Sequence, residues 1–245
     1  MQYPAAHTPE EFARHVAAVR ARIDAAAARA GRDPGEVRLL PVSKTVPSER
    51  IRAAVAAGLR TLGENKVQEA ARKHEELADL DVSWALIGHL QTNKARDVAA
   101  FADEFHALDS VRLAEALDRR LQAAGRSLDV YVQVNTSAEE SKSGLAPGEV
   151  LAFLAELPRF DALRVRGLMT LAIFSPDVER VRGCFRLLRT LRDQARDEGL
   201  VGPGELSMGM SGDYEIAIEE GATTVRVGQA IFGARATPDS EYWPG

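Results

Sequence analysis

A long helical stretch opens this chain, and eight short apolar runs follow it, most of them separated by further helical patterns. The first helix fits residues 10–30, beginning after Thr8-Pro9 and stopping at Gly31. The apolar runs lie at 37–42, 60–63, 84–87, 104–108, 128–134, 163–168, 205–208 and 223–227. Between them the pattern predicts helices over 48–57, 66–80, 92–101, 110–124, 147–157, 177–198 and 213–220. Eight strands, seven intervening helices and one leading helix are the inventory of an α/β fold, a (β/α)8 TIM barrel with an additional N-terminal helix. The leading helix can cover the face a final helix normally takes, because the chain ends soon after Ala230-Ile231-Phe232-Gly233. The structural rival is a doubly wound sheet, which calls for a glycine-rich turn between first strand and first helix. That junction reads Ser43-Lys44-Thr45-Val46-Pro47 and holds no glycine. No linker or composition break divides the chain, so 1–245 is read as one domain with its barrel core at about 37–234.

Composition narrows the function classes more than the fold. The chain has 245 residues and is 45% hydrophobic, enough for one substantial core. Its 31 basic and 36 acidic residues give a formal charge of -5. That balance argues against a non-specific nucleic-acid or membrane partner, yet a local phosphate site remains open because backbone amides and one or two basic side chains suffice. With Cys184 the lone cysteine, neither an intramolecular disulfide nor a cysteine-rich metal site can form, and the residue reads as a small buried hydrophobe. The N-terminal Met1-Gln2-Tyr3-Pro4-Ala5 lacks a basic segment leading into an apolar core, and no run reaches the about 20 apolar residues of a membrane span. A cytoplasmic location is expected. The tail 238–245 reads as a frayed appendage without a catalytic role.

In such barrels chemistry gathers at the carboxyl ends of the strands. Lys44 ends the first apolar run and shares parity with Leu40 and Val42, so it points inward if Val42 does. A lysine there leaves water, which lowers its pKa toward the range where a free amine attacks a carbonyl; the alternative is a salt-bridged structural lysine. The second run ends in Gly63-Glu64-Asn65, where Asn65 can cap the next helix or turn its amide to a ligand. After the third, Gly88-His89-Leu90-Gln91-Thr92-Asn93-Lys94 is a dense polar cluster, although His89 has no partner at metal-ligand spacing. On the fifth strand Tyr131, Gln133 and Asn135 fall on the interior parity, and the polar loop 136–144 suits either a solvated turn or a lid. The seventh and eighth strands run into Met208-Gly209-Met210-Ser211-Gly212-Asp213 and Arg226-Val227-Gly228-Gln229. Barrels commonly bind phosphate at these two loops, and Ser211 adds a hydroxyl donor. Arg226 has the inward parity, and Asp213 or Ser211 can cap the helix that follows.

These same residues resemble a known family. Val42-Ser43-Lys44-Thr45, Gly63-Glu64-Asn65, Ile87-Gly88-His89-Leu90-Gln91-Thr92-Asn93-Lys94, Gly167-Leu168-Met169, Ser207-Met208-Gly209-Met210-Ser211 and Val225-Arg226-Val227-Gly228 look like the pyridoxal phosphate homeostasis (YggS-like) proteins, in matching order from about Val37 to Ala234. One departure is Ala85, where the family leads us to expect a histidine after the tryptophan. The resemblance implies a barrel similar to the N-terminal domain of alanine racemase and a pyridoxal 5'-phosphate (PLP) cofactor. It implies that Lys44 forms the internal aldimine, that Met210, Ser211 and the Gly228-Gln229 backbone lie in the phosphate-binding region, and that Arg226 faces the pyridine nitrogen. Asn65 matches a position lining the cofactor pocket.

An arginine in that place disfavours the pyridinium form and weakens the ring as an electron sink. Two functions then compete: reversible custody of PLP, with release to PLP-dependent apoenzymes, and racemase-like catalysis. Racemisation needs an acid/base on each face. In alanine racemases the group opposite the lysine is a tyrosine from a second domain, which this chain lacks; Tyr131 and Tyr214 are the substitutes on offer. We therefore expect a non-enzymatic carrier, with no metal, and a monomer because the dimer-building domain is missing. An aldolase-like barrel using Lys44 on a sugar phosphate is the third possibility.

Overall fold

Thr8 starts the first helix with a reciprocal cap. Its hydroxyl accepts from the Glu11 N–H and the Glu11 carboxylate accepts from the Thr8 N–H, while Pro9 fills a position that has no intrahelical donor to lose. The computed structural model describes residues 3–139, 142–202 and 204–234. The tail 238–245 and loop residues Glu140 and Ser141 lie outside them.

Helix α1 (Pro9–Arg29) leads into β1 (Arg38–Pro41), α2 (Ser48–Ala56), β2 (Thr61–Glu64), α3 (Val67–Glu76) and β3 (Ser83–Leu86). There follow α4 (Ala95–Phe101), β4 (Glu104–Leu108), α5 (Val111–Ala123), β5 (Leu128–Gln133), α6 (Val150–Glu156) and β6 (Leu163–Met169). The series ends with α7 (Val178–Asp197), β7 (Glu205–Ser207), α8 (Tyr214–Glu219), β8 (Thr224–Val227) and the single turn α9 (Gln229–Phe232). All eight strands are parallel, in the order β1-β8-β7-β6-β5-β4-β3-β2. A Val42–Gly63 bridge and the Ser43 N–H on the Gly63 carbonyl (3.0 Å) join β1 to β2 and bring the ring to a barrel. This seam is short for a covalent reason. Arg38 and Val42 turn their N–H groups to the β8 side, and Ser43 turns its own to β2. Pro41 has the parity of Ser43 and no N–H to give, so the ladder loses a rung there.

The predicted leading helix takes the expected place. Helix α1 packs between α8 and α2, Phe12 meets Phe232 edge-on at 5.5 Å, and His15 Nδ1 lies 2.9 Å from the Ile231 carbonyl. Outward strand residues such as Leu62, Phe105, Val130, Val132, Leu206 and Val225 are buried under the helices and form the apolar layer. A fully buried side chain of this size stabilises the fold by roughly 1.5–3 kcal/mol. The inside of the barrel is different: Glu104, His106, Tyr131, Glu205, Ser207 and Arg226 project into it and meet one another. Among the described residues no helix is long and apolar enough to cross a membrane.

Candidate functional site

Four adjoining strands carry the expected site residues to one rim. Because Val42 bridges Gly63, Lys44 and Asn65 follow side by side at the carboxyl ends of β1 and β2. Because Pro41 pairs with Val227, the residues after β1 run beside Gly228 and Gln229. Met210 and Ser211 follow β7, the other neighbour of β8. Lys44 is only 6% exposed. Ser43 turns to the helix layer, where its hydroxyl meets Glu64, so the inward parity expected of Lys44 agrees with its neighbours. A buried ionic group formed by Glu64 and Lys73 lies behind it.

The β7 and β8 loops are tied together. The Gly228 N–H points at Ser211 Oγ at 3.3 Å, and the Arg226 N–H donates to the Gly209 carbonyl at 2.9 Å. Gly209 has φ 93°, and a Cβ there would stand 2.6 Å from Ala217 Cβ, so both conformation and space require glycine. The capping expectations are corrected here. Asp213 precedes α8, but its Oδ1 accepts from the Met210 N–H at 2.6 Å and not from the helix. Burial raises the Asp213 pKa against that hydrogen bond. Asn65 does not cap α3 either: Lys66 holds the cap position, and its side chain does not cap the helix. Gly88 presses on Asn65 from β3, since a Cβ at 88 would lie 2.3 Å from the Asn65 carbonyl oxygen.

Arg226 is buried, its pKa lowered by burial to about 10 and partly restored by Asp213, so it remains a cation at neutral pH. Its guanidinium donates from Nη1 to Ser207 Oγ (2.8 Å) and from Nη2 to the Thr170 carbonyl (2.8 Å). Ser207 Oγ also lies 2.9 Å from His106 Nδ1, and His106 Nε2 lies 2.9 Å from Glu104 Oε2. Arg38 closes the series with two bonds to Glu104, at 2.6 and 2.9 Å. Burial pushes Glu104 up, yet hydrogen bonds from His106 and Arg38 outweigh it and hold the carboxyl at about 2. The tautomer follows. Glu104 is ionised and only accepts, so His106 carries its proton on Nε2. Burial keeps the ring below its usual pKa against the pull of Glu104, which leaves Nδ1 an acceptor for the Ser207 hydroxyl. Ser207 thus accepts from Arg226 and donates to His106, and the line of donors runs from the rim to the opposite barrel end. Ala85 is fully buried and pairs in register with Gly63 and Glu104, beside this line.

Neither tyrosine stands at the rim. Tyr131 is deep in the barrel, 4.1 Å from the His106 ring centre, with its hydroxyl on Glu205 at 2.5 Å; burial and Glu205 push its pKa up. Tyr214 lies on the outer layer under Arg22, with its pKa pushed up by burial to about 12. The loop after β5 is anchored over β5 and β6: Asn135 Nδ2 donates to the Glu139 carbonyl and Lys142 Nζ to that of Ala172. Exposed His89 faces Asp109 at 3.7 Å, and among the described residues no group of three or more His, Cys, Asp or Glu is disposed to hold a metal.

Sequence reasoning assigns Lys73, Glu104 and His106 no site role, and Glu64 and Ser207 enter it only as members of the quoted motifs. Glu104-x-His106 on a predicted strand was the one visible signal, since alternate positions share a face.

A barrel with a buried lysine just past β1 and an interior arginine on β8 is matched by one class of protein, the alanine racemase type. The family model for the alanine racemase N-terminal domain matches residues 15–236, and the chain belongs to that family. Within it, this chain is a member of the pyridoxal phosphate homeostasis protein family. The protein of that name from Pseudomonas aeruginosa is 48% identical over 224 residues, covering 91% of this chain and 96% of the relative. The structure of PipY from Synechococcus elongatus with PLP bound matches at TM-score 0.80 and 38% identity, over 91% of this chain and all (100%) of that one. An alanine racemase from Clostridium difficile shares the fold alone, at TM-score 0.72 and 13% identity, and 60% of its length is covered.

Proposed function

We propose that this protein is a non-enzymatic PLP carrier that holds the cofactor as a Schiff base on Lys44 and serves intracellular PLP homeostasis. The observation that carries the reading is the placement of Lys44, Arg226 and the Ser211–Gly228 pair on the adjoining strands β1, β8 and β7. The donor set fits the group chemically. A buried amine suits an aldehyde, a hydroxyl and backbone amides at the start of α9 suit a phosphate, and a fixed cationic donor suits an unprotonated ring nitrogen. Bound PLP supplies an electrophilic aldehyde and a ring able to act as an electron sink. Lys44 binds the aldehyde carbon, Ser211, Gly228 and Gln229 anchor the phosphate beside Met210, and Asn65 lines the pocket. Arg226 stays protonated and keeps the ring nitrogen from gaining charge, which weakens the sink.

Among the described residues no tyrosine stands at the rim as a second base, which favours custody over racemisation. Tyr131 is bonded to Glu205 deep in the barrel, Tyr214 lies on the outer layer under Arg22, Tyr3 packs against the hydrophobic core, and Tyr242 lies outside the described residues. The carrier acts as a monomer in the cytoplasm and passes PLP to PLP-dependent apoenzymes in this reading. Incubating the PLP-loaded protein with single-enantiomer amino acids in deuterated water tests it. The expected result is no α-deuterium incorporation beyond one equivalent per protein; sustained inversion or exchange overturns the non-enzymatic assignment.

A further inference from the structure

Lys44 sits in the middle of a turn whose conformation is unfavourable by itself. Thr45 has φ 66°, in the left-handed region, where a β-branched residue is strained. Both neighbours of Lys44 are held from behind. The Thr45 N–H donates to Glu69 Oε1 at 2.7 Å, and Ser43 Oγ donates to Glu64 Oε1 at 2.6 Å. Lys73 ties the two carboxylates together. Its ammonium donates to the Ser43 carbonyl at 2.8 Å and to Glu64 Oε1 at 2.7 Å, and it stands 2.7 Å from Glu69 Oε1. The Lys73 and Glu64 side chains are fully buried (0% exposed), and Glu69 is 19% exposed. A buried ion pair is often no more stabilising than an apolar pair of the same volume. Its use here is conformational: one carboxylate grips each side of Lys44, and a single ammonium sets the distance between them.

We propose that Lys73, acting through Glu64 and Glu69, is a positioning residue that pre-sets the Ser43–Thr45 turn for capture of the PLP aldehyde by Lys44. This rests on the reading of Lys44 as the capturing amine. In capture the neutral amine adds its electron pair to the aldehyde carbon, a C=N bond replaces C=O, and the oxygen leaves as water with both amine hydrogens. Lys73, Glu64 and Glu69 exchange no bond or proton in that step. They keep the amine where the aldehyde arrives, and losing them lets Thr45 relax and Lys44 wander, which lowers the effective concentration of the amine. The phosphate and ring contacts come from β7 and β8 and are not held by this group.

The test uses the full chain as wild type, as Glu69→Ala, as Glu64→Leu with Lys73→Met, and as Glu69→Ala with Thr45→Gly. The apolar double variant avoids leaving one buried charge unpaired. Two ligands are compared: PLP, and 4'-deoxypyridoxine 5'-phosphate, which carries a methyl in place of the aldehyde and binds without capture. Capture is followed by the visible Schiff-base absorbance after rapid mixing, and analogue affinity by protein fluorescence. Capture is expected to slow by about tenfold to a hundredfold in the first two variants, while analogue affinity stays within about twofold. Thr45→Gly restores capture toward wild type, because glycine takes positive φ without strain. Unchanged capture, a parallel loss of analogue binding, or no rescue by glycine overturns the proposal. Borohydride reduction of the wild type separates this from failure of the site itself: an adduct on another lysine removes both readings, whereas an adduct on Lys44 with unchanged capture in the variants removes only the clamp.

Discussion

Replacing Glu104 by glutamine removes the one carboxylate at the far end of the interior donor line. Glu104 accepts from Arg38 and His106, and its side chain is 14% exposed. Folding lowers its carboxyl from 4.5 to about 2, despite burial that pushes the other way, through the bonds from His106 and Arg38. At 1.36 kcal/mol per pH unit this corresponds to about 3 kcal/mol of stability near neutral pH. Above pH 4.5 the group is ionised in both folded and unfolded chains, and the stabilisation is complete. As the pH falls below 4.5 the unfolded chain takes the proton first, so the stabilisation shrinks, and it is gone below about 2. Urea unfolding followed by circular dichroism, on wild type and Glu104→Gln from neutral pH downward, reads this directly. A gap of about 3 kcal/mol is expected at neutrality with unchanged m-value, narrowing below pH 4.5. No gap at neutrality, or a gap that persists undiminished as the carboxyl protonates, refutes the reasoning.

Two further outcomes follow from the site geometry. Nitrogen-15 NMR of the ligand-free protein is expected to show His106 neutral with its proton on Nε2 through pH 6.5, the usual imidazole value, because burial holds its pKa below that; a cationic ring there contradicts the donor line. Gly209→Ala is expected to destabilise the fold by about 1–3 kcal/mol through strain at φ 93° and the contact with Ala217, measurable by thermal melting, and a loss below about 0.5 kcal/mol contradicts it.

Much of the frame was legible because apolar periodicity reports local structure. The fourth strand, 104–108, lies where the pattern puts it, and the first helix differs by one residue at each end. The pattern extends a helix over 66–80, whereas α3 ends at Glu76 and Leu77–Leu80 closes as a turn that presents the same apolar spacing. Helices 92–101 and 147–157 each begin with a 3-10 turn, which periodicity does not distinguish. The rim residues were findable because strand ends in a barrel converge whatever their separation in sequence. The polar interior was not. His106 and Ser207 are 101 residues apart, and only the strand register puts β4 and β7 side chains across the same lumen. Lys73 was hidden by its spacing from Glu69, which reads as a surface pair on a helix, whereas its ammonium points inward to Ser43 and Glu64.

Capture of the cofactor by Lys44 leaves a covalent linkage that can be located. Reducing the PLP-loaded protein with borohydride fixes the linkage, and peptide mass mapping locates it. A single pyridoxyl adduct is expected, on the peptide containing Lys44, and its loss in Lys44→Ala. An adduct on any other lysine, or none on the wild type, contradicts it.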